Sequence, residues 1–189
     1  LQFYDIIKDK KLEVINIAQN NIEDRIRNIK FLNENSLFVT TFSGKVLKVT
    51  RKPLKIEPIY ISDNEFVINF FINRANNTYH LVLKNQIITY NKDYKIINQN
   101  SDYQNIEVSF YKDSKLFFVA NEKLHVIASV GPEYKIIANF KLTNVNNTSA
   151  IYLSNEYLFL GTGSGEVKCF DFNFNNTERF YSTDDYQSI

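Results

Sequence analysis

The sequence has no methionine, no tryptophan, one cysteine, two histidines, three prolines and five glycines in 189 residues. Each shortage excludes something. One cysteine, Cys169, cannot close an internal disulfide, and one cysteine with two histidines is too few for a recognisable structural zinc site. No apolar run reaches the ~18 residues that a membrane helix needs. No basic segment followed by an apolar core marks a secretory signal. A surplus of one charge is missing too: 22 Lys+Arg stand against 21 Asp+Glu, a net +1. That balance gives no broad attraction to nucleic acid or to an anionic membrane. The lack of methionine, with leucine at position 1, predicts a piece of a longer polypeptide.

Asparagine (25), isoleucine (22) and lysine (17), all with AT-rich codons, fill the space. Asparagine tolerates left-handed and Asx-turn geometry, so it marks turns where glycine and proline are scarce. Three N-x-T sequons begin at Asn76, Asn146 and Asn175. With 25 asparagines and 22 Ser+Thr, about three are expected by chance, so they carry no case for secretion.

A repeat near 40 residues organises the chain. Ser36–Val49, Thr78–Tyr90, Lys115–Ile127 and Glu156–Phe170 each hold an apolar run, a short polar turn and a second, alternating run. This is the grammar of a β-hairpin. The second runs end at Tyr4, Val49, Tyr90, Ile127 and Phe170, spacings of 45, 41, 37 and 43. A period near 40 with only strand signals inside each unit predicts an all-β fold, a β-propeller of four-stranded antiparallel blades. Each complete unit divides into four strands. They are Arg27–Leu32, Leu37–Thr41, Lys45–Thr50 and Lys55–Ile61 in the first; Phe66–Ile72, His80–Leu83, Gln86–Tyr90 and Tyr94–Asn98 in the second. The third reads Ile106–Tyr111, Leu116–Ala120, Lys123–Ser129 and Tyr134–Phe140; the fourth reads Ser149–Leu153, Tyr157–Gly161, Glu166–Phe172 and Glu178–Ser182.

The second strands are nearly continuous apolar runs, which predicts burial on both faces between neighbouring blades. The fourth strands are more polar. Pro58 cannot donate to a ladder and belongs on an edge strand. Glu23–Phe31 is the best helical candidate, but it is short and poor in helix formers. The expected organisation is one partial propeller over 1–189. It comprises a half blade at 1–20 and blades at approximately 21–62, 63–101, 102–142 and 143–185. That makes about four and a half blades, with the start of another strand at Tyr186–Ile189. A bare blade face would expose several hundred Å² of apolar surface, on the order of 10 kcal/mol. The missing blades are therefore expected from elsewhere in the polypeptide or from a partner chain.

The pattern resembles the WD-repeat family of β-propellers. The segment from Tyr157 to Asp171, YLFLGTGSGEVKCFD, is similar to the family's second strand, tight turn and third strand. Phe170-Asp171 and Tyr4-Asp5 stand where the family carries Trp-Asp. There is no tryptophan and no Gly-His before a first strand, so the family's His–Asp network is missing and the repeats are degenerate. The resemblance implies a non-catalytic protein-interaction scaffold in a larger assembly, not an enzyme, with no cofactor. Other proteins would dock on its rim or loops, and its location would be intracellular and cytoplasmic, with cytoskeletal or ciliary assemblies included. The alternatives are a propeller hydrolase with acids around the central channel and an RNA-binding propeller of a ribonucleoprotein assembly.

Gly161-Thr-Gly-Ser-Gly165 has phosphate-loop letters, but strand residues follow it where a phosphate loop opens a helix, so it reads as a hairpin turn. Cys169 with His80 or His125 as base could make a nucleophile; a buried strand thiol is the plainer reading. The acid pairs Glu23-Asp24 and Asp184-Asp185 read as solvated turns. Lys45, Lys48, Arg51, Lys52 and Lys55 form the only basic cluster. Strand alternation sets Lys48 on one face and Lys45 and Arg51 on the other. Solvated rim charge is the plainer reading of these five; as a candidate interaction patch they would suit RNA or a phosphoinositide.

Overall fold

A computed structural model describes residues 2–5, 10–14, 25–62, 64–130, 133–142, 147–154, 156–171 and 176–181. Glu23-Asp24, Asp184-Asp185, Asn146, Asn175 and the strand expected at Tyr186–Ile189 lie outside them. The chain forms two compact units, Leu1–Asp63 and Asn64–Ile189. Every regular element among the described residues is a β-strand.

The first unit holds a two-stranded antiparallel hairpin, β1 (Gln2–Asp5) with β2 (Lys10–Val14), and a four-stranded sheet, here sheet I. Sheet I has the order β3 (Ile26–Asn33), β4 (Ser36–Thr41), β5 (Lys45–Thr50) and β6 (Lys55–Ile61). The helix considered over Glu23–Phe31 is replaced by β3. Arg27, Asn28 and Ile29 have little helix preference, and pairing with β4 decides the outcome. Pro58 lies on the edge strand β6, as its missing N–H requires.

The second unit holds three more sheets of the same plan. Sheet II is β7 (Val67–Asn73), β8 (Thr78–Leu83), β9 (Ile87–Tyr90) and β10 (Ile96–Asn100). Sheet III is β11 (Ile106–Lys112), β12 (Lys115–Ala120), β13 (Lys123–Val130) and β14 (Glu133–Lys141). Sheet IV is β15 (Thr148–Leu153), β16 (Tyr157–Thr162), β17 (Val167–Asp171) and β18 (Asn176–Tyr181). All neighbours are antiparallel and consecutive in the chain. The first strand β11 lies against β7 on one side and β15 on the other. First strands of successive sheets are thus brought together, as blades around an axis require.

The repeat extends to irregularities of pairing. Each first strand carries a bulge at its start, between Ile26 and Asn28, Val67 and Asn69, Ile106 and Val108, and Thr148 and Ala150. An extra residue on one strand raises the local twist, and repetition at one place makes it a feature of the fold. The outer strands β6, β10 and β14 skip one isoleucine each: Ile59, Ile97 and Ile137. A bulge of this kind makes an edge a poor template for further strands.

Two turns repeat in sequence and in geometry. In Thr41-Phe-Ser-Gly-Lys45 the Thr41 hydroxyl accepts from the Lys45 N–H (3.1 Å) and pairs with the Ser43 hydroxyl (3.3 Å). In Thr162-Gly-Ser-Gly-Glu166 the Thr162 hydroxyl accepts from the Glu166 N–H (3.2 Å) and pairs with Ser164 (2.8 Å). Gly44 and Gly165 take φ of 89° and 87°, where a side chain is strained. The phosphate-loop letters are therefore a hairpin turn. Elsewhere Asn121-Glu122 (φ 49° and 59°) and Asp113-Ser114 (φ 50° and 58°) make two-residue turns with both residues left-handed, which suit the twist of a hairpin.

The cores lie between sheets. Phe71, Val82 and Ile87 of sheet II pack with Ile106, Leu116, Phe118, Ala120 and Ile127 of sheet III. On the other face of sheet III, Phe117, Val119, Leu124 and Val126 pack with Leu153, Leu158, Leu160 and Phe170 of sheet IV. Second strands β4 and β8 are buried throughout, and β12 from Leu116 onward. Strand β16 departs from the expectation of two buried faces. Leu158 and Leu160 are buried against sheet III and Thr162 is buried too, whereas Tyr157, Phe159 and Gly161 are only half-buried. Among the described residues no further sheet packs over that second face.

Candidate functional site

The five basic residues fall on β5, on the turn after it and on the start of β6. Cross-strand pairing sets Lys48 opposite Glu57, and Lys55 meets the Glu57 carboxylate at 2.7 Å. The hydrogen bond from Lys55 is the main cause that holds the Glu57 carboxyl below the usual range; desolvation opposes it, and the positive charges of Lys55 and Lys48 add to it. Arg51 turns the other way. Its guanidinium donates to the Glu34 carbonyl (3.1 Å), and its N–H donates to the Asn35 carbonyl (2.8 Å). Lys52 N–H donates to Asn35 Oδ1, and Asn35 Nδ2 donates back to the Lys52 carbonyl. Lys45 N–H is held by Thr41 in the turn. The structure thus brings Lys48 and Lys55 together around one carboxylate. Arg51 and Lys52 belong to a clasp of the β5–β6 turn onto the β3–β4 turn.

The two histidines serve packing. His80 on β8 is buried and pairs across the hairpin with Thr89 on β9. Its Nδ1 shares hydrogen bonds with the Thr89 hydroxyl (3.2 Å) and the Tyr134 phenol (2.9 Å), and Nε2 lies 3.5 Å from the Thr78 hydroxyl. Thr89 and Tyr134 also bond to each other. The Tyr111 ring tilts over the imidazole at 5.4 Å. Tyr134 stands on β14, so this polar cluster joins sheet II to sheet III. Burial lowers the His80 pKa to about 4 and raises that of the Tyr134 phenol. Both are neutral at physiological pH.

His125 on β13 stacks on Phe118 (4.9 Å, 10° between planes) and meets Tyr103 edge-on at 5.0 Å. Burial, aided by the Lys123 charge and opposed by a backbone bond to Ala120, lowers its pKa. Cys169 is buried on β17 opposite Phe159, the place of an apolar strand residue. The structure therefore does not assemble Cys169, His80 and His125 into one site: they lie on three different sheets. No group of three or more His, Cys, Asp or Glu is gathered for a metal among the described residues. No helix among them is long and apolar enough to cross a membrane.

The His80–Thr89–Tyr134 cluster was missed in the sequence. Half of it was legible, since a polar residue inside the apolar run Tyr79–Leu83 pairs with Thr89 once the hairpin register is drawn. Tyr134, 54 positions beyond His80, carries no such signal.

The bulged first strands, consecutive antiparallel sheets and face-to-face cores define blades of a β-propeller. The chain is similar to the β-propeller domain of Cps50 (Swd1) from Myceliophteria thermophila, with a TM-score of 0.77, 10% identity, and coverage of 95% of this chain and 65% of that one. It is similar also to the Pan2 WD40 domain of Neurospora crassa (TM-score 0.64, 13% identity, 84% and 50% covered). A chain of the nidogen/laminin complex matches with TM-score 0.64 and 10% identity, over 96% of this chain and 71% of that one. No protein-family model matches the sequence, and no curated protein matches it. The chain thus has the fold of WD40-type propeller domains, and spans about two thirds of the Cps50 chain and half of the Pan2 chain.

Proposed function

We propose that this chain is part of a non-catalytic protein-interaction scaffold that works within a larger multiprotein assembly. The observation that carries the reading is the likeness to WD40-type propeller domains over 84–95% of the chain. Physically, such a fold supplies rigid sheets whose turns can vary without disturbing the core, which suits docking. Lys45, Lys48, Arg51, Lys52 and Lys55 are the docking residues of this proposal. Lys48 and Lys55 present positive charge to an acidic partner, and Arg51 and Lys52 hold the turn that carries them. A cytoplasmic location, at the cytoskeleton or cilium, belongs to the same proposal.

The test compares partners retained from cell extract by the wild type and by a variant with all five residues changed to glutamate, beside a screen for glycan and peptide hydrolysis. A defined partner set retained by the wild type and lost by the variant supports the reading. Hydrolytic activity with no retained partner overturns it.

A further inference from the structure

The buried cluster between sheets II and III holds three hydroxyls and one imidazole, and its protons can be placed in turn. His80 is neutral, so its ring carries a single proton on either Nδ1 or Nε2. The oxygens on each side of the ring make the choice. On the Nε2 side stands Thr78, the first residue of β8, with its hydroxyl 3.5 Å from the nitrogen. That hydroxyl donates its one proton to Asn76 Oδ1 at 2.6 Å, a length that suits an O–H donor and is short for an amide N–H. Thr78 then has lone pairs alone to offer the ring. An unprotonated Nε2 would set lone pair against lone pair, whereas Nε2–H meets an acceptor.

Nδ1 is therefore the accepting nitrogen. The Tyr134 phenol lies nearer to it than the Thr89 hydroxyl does, at 2.9 Å against 3.2 Å, and a phenol is the more acidic donor. Tyr134 donates to Nδ1, and Thr89 donates to the phenol oxygen with which it is bonded. The hydrogen bonds all run one way, from Thr89 to Tyr134, to His80, to Thr78 and to Asn76. Bonds aligned head to tail polarise one another, so the loss of one weakens the rest.

The two ends of the chain differ in setting. Thr89 is buried on β9. Asn76 is exposed in the turn between β7 and β8, beside Asn77, which takes a φ of 54°. The bonds thus lead from a seam between two sheets to a side chain at the surface.

We propose that this directed chain fixes His80 as the Nε2–H tautomer and couples the Asn76-Asn77 turn to the seam between sheets II and III. Taking the Asn76 carbonyl away from Thr78 frees that hydroxyl to turn its proton toward Nε2. The ring proton then moves to Nδ1, and the bonds beyond it reverse. Contact made with the turn at the surface accordingly changes how firmly the two sheets are joined. The basic cluster plays no part in this coupling.

The tautomer can be read directly. Protein carrying histidine labelled with the heavy nitrogen isotope gives long-range proton–nitrogen correlations that tell Nε2–H from Nδ1–H, and His80→Gln identifies the His80 signals by their loss. The expected wild-type pattern is Nε2–H; a wild-type ring protonated on Nδ1 overturns the proposal. Asn76→Ala should bring in the Nδ1–H form, whereas Asn76→Asp, which keeps an acceptor for Thr78, should retain the wild-type pattern. An unchanged tautomer in Asn76→Ala overturns the coupling. Asn76 is exposed, so both variants are expected to fold. Urea denaturation gives a second reading: the effects of Asn76→Ala and Tyr134→Phe should fail to add in the double variant, and effects that add as those of independent sites do overturn the coupling as well.

Discussion

The Nδ1 of His80 lies 2.9 Å from the phenol oxygen of Tyr134, and this contact ties sheet II to sheet III with hydrogen bonds. The corresponding row at the next seam, Phe110–Phe117–Val126, is wholly apolar. The two rows therefore differ in kind: the first is joined across its seam by buried directional bonds, whereas at the second seam the hydrogen bonds, Thr148 N–H to the Glu107 carboxylate (2.6 Å) and Lys112 Nζ to the Ser154 carbonyl (3.4 Å), lie outside the row. Tyr134→Phe removes one partner and leaves His80 and Thr89 in place. A buried polar group that loses its partner costs about 1–3 kcal/mol. The expected outcome is a lower urea midpoint with an unchanged slope, measured by tyrosine fluorescence or circular dichroism. His80→Ala adds a cavity to the lost bonds and falls further.

The same histidine predicts a pH dependence. Its pKa is lowered by burial from 6.5 to about 4 in the folded chain. Between those values the unfolded chain binds a proton that the folded chain refuses, so stability rises with pH across that window. The contribution is complete above about 6.5 and is lost as pH falls toward 4, a span worth about 3 kcal/mol. Carboxylates titrate at the lower end of the window, so the contribution is read as the difference between wild type and His80→Gln. Chemical denaturation at pH 7.5, 6, 5 and 4.5 should show the wild type losing stability more steeply than the variant. Parallel curves would remove His80 from the account.

Much of the fold was legible in the sequence because strand pairing and burial both have a short period. Leu37–Thr41, Lys45–Thr50 and Lys55–Ile61 lie within a residue of the observed strands, since the turns between them are marked by glycine, proline or clustered polar residues. Sheet II was harder. Its outer strand was expected at Tyr94–Asn98 and runs from Ile96 to Asn100, because Tyr94 takes a positive φ of 59° and ends the turn. The site was less legible than the fold. Five clustered cations read as one patch, but Arg51 and Lys52 are engaged by Glu34 and Asn35, 17 residues earlier. Contacts between turns depend on how strands are stacked, which a linear charge pattern does not encode.

The repeated Thr-x-Ser-Gly turn predicts a contrast between two glycines two positions from one another. Gly165 has a φ of 87°, so a β-branched residue there is forced into a conformation that costs about 1–3 kcal/mol. Gly163 lies outside that region, and an added Cβ would meet Asn147 at 3.4 Å, an ordinary contact at the close end. Gly165→Val should lower the thermal midpoint clearly, and Gly163→Ala should leave it nearly unchanged. Equal effects would mean that the turn is not held as described.

The Lys55–Glu57 pair offers a test of local electrostatics that leaves the fold untouched. Lys55→Gln removes the hydrogen bond and the nearer of the two charges that hold the Glu57 carboxyl low. The carboxyl should then titrate closer to the ordinary glutamate range, followed by carbon-detected NMR of its side chain. Both groups are solvent-facing, so the unfolding midpoint should not move measurably. A Glu57 titration indifferent to Lys55 would show that the pair does not persist in solution.

Phe117 and Phe159 occupy the same place in successive repeats, and the difference in their cover converts into a difference in cost. Phe117 lies in the core between sheets III and IV, so Phe117→Ala deletes a ring from packed surroundings and should cost roughly 3–5 kcal/mol. Phe159 has packed neighbours on fewer sides, and part of its ring already meets water in these 189 residues. Phe159→Ala should therefore cost clearly less, since less transfer free energy is lost and the space left can fill with solvent. Urea denaturation of both variants measures the two values. Equal costs would mean that Phe159 is covered as fully as Phe117.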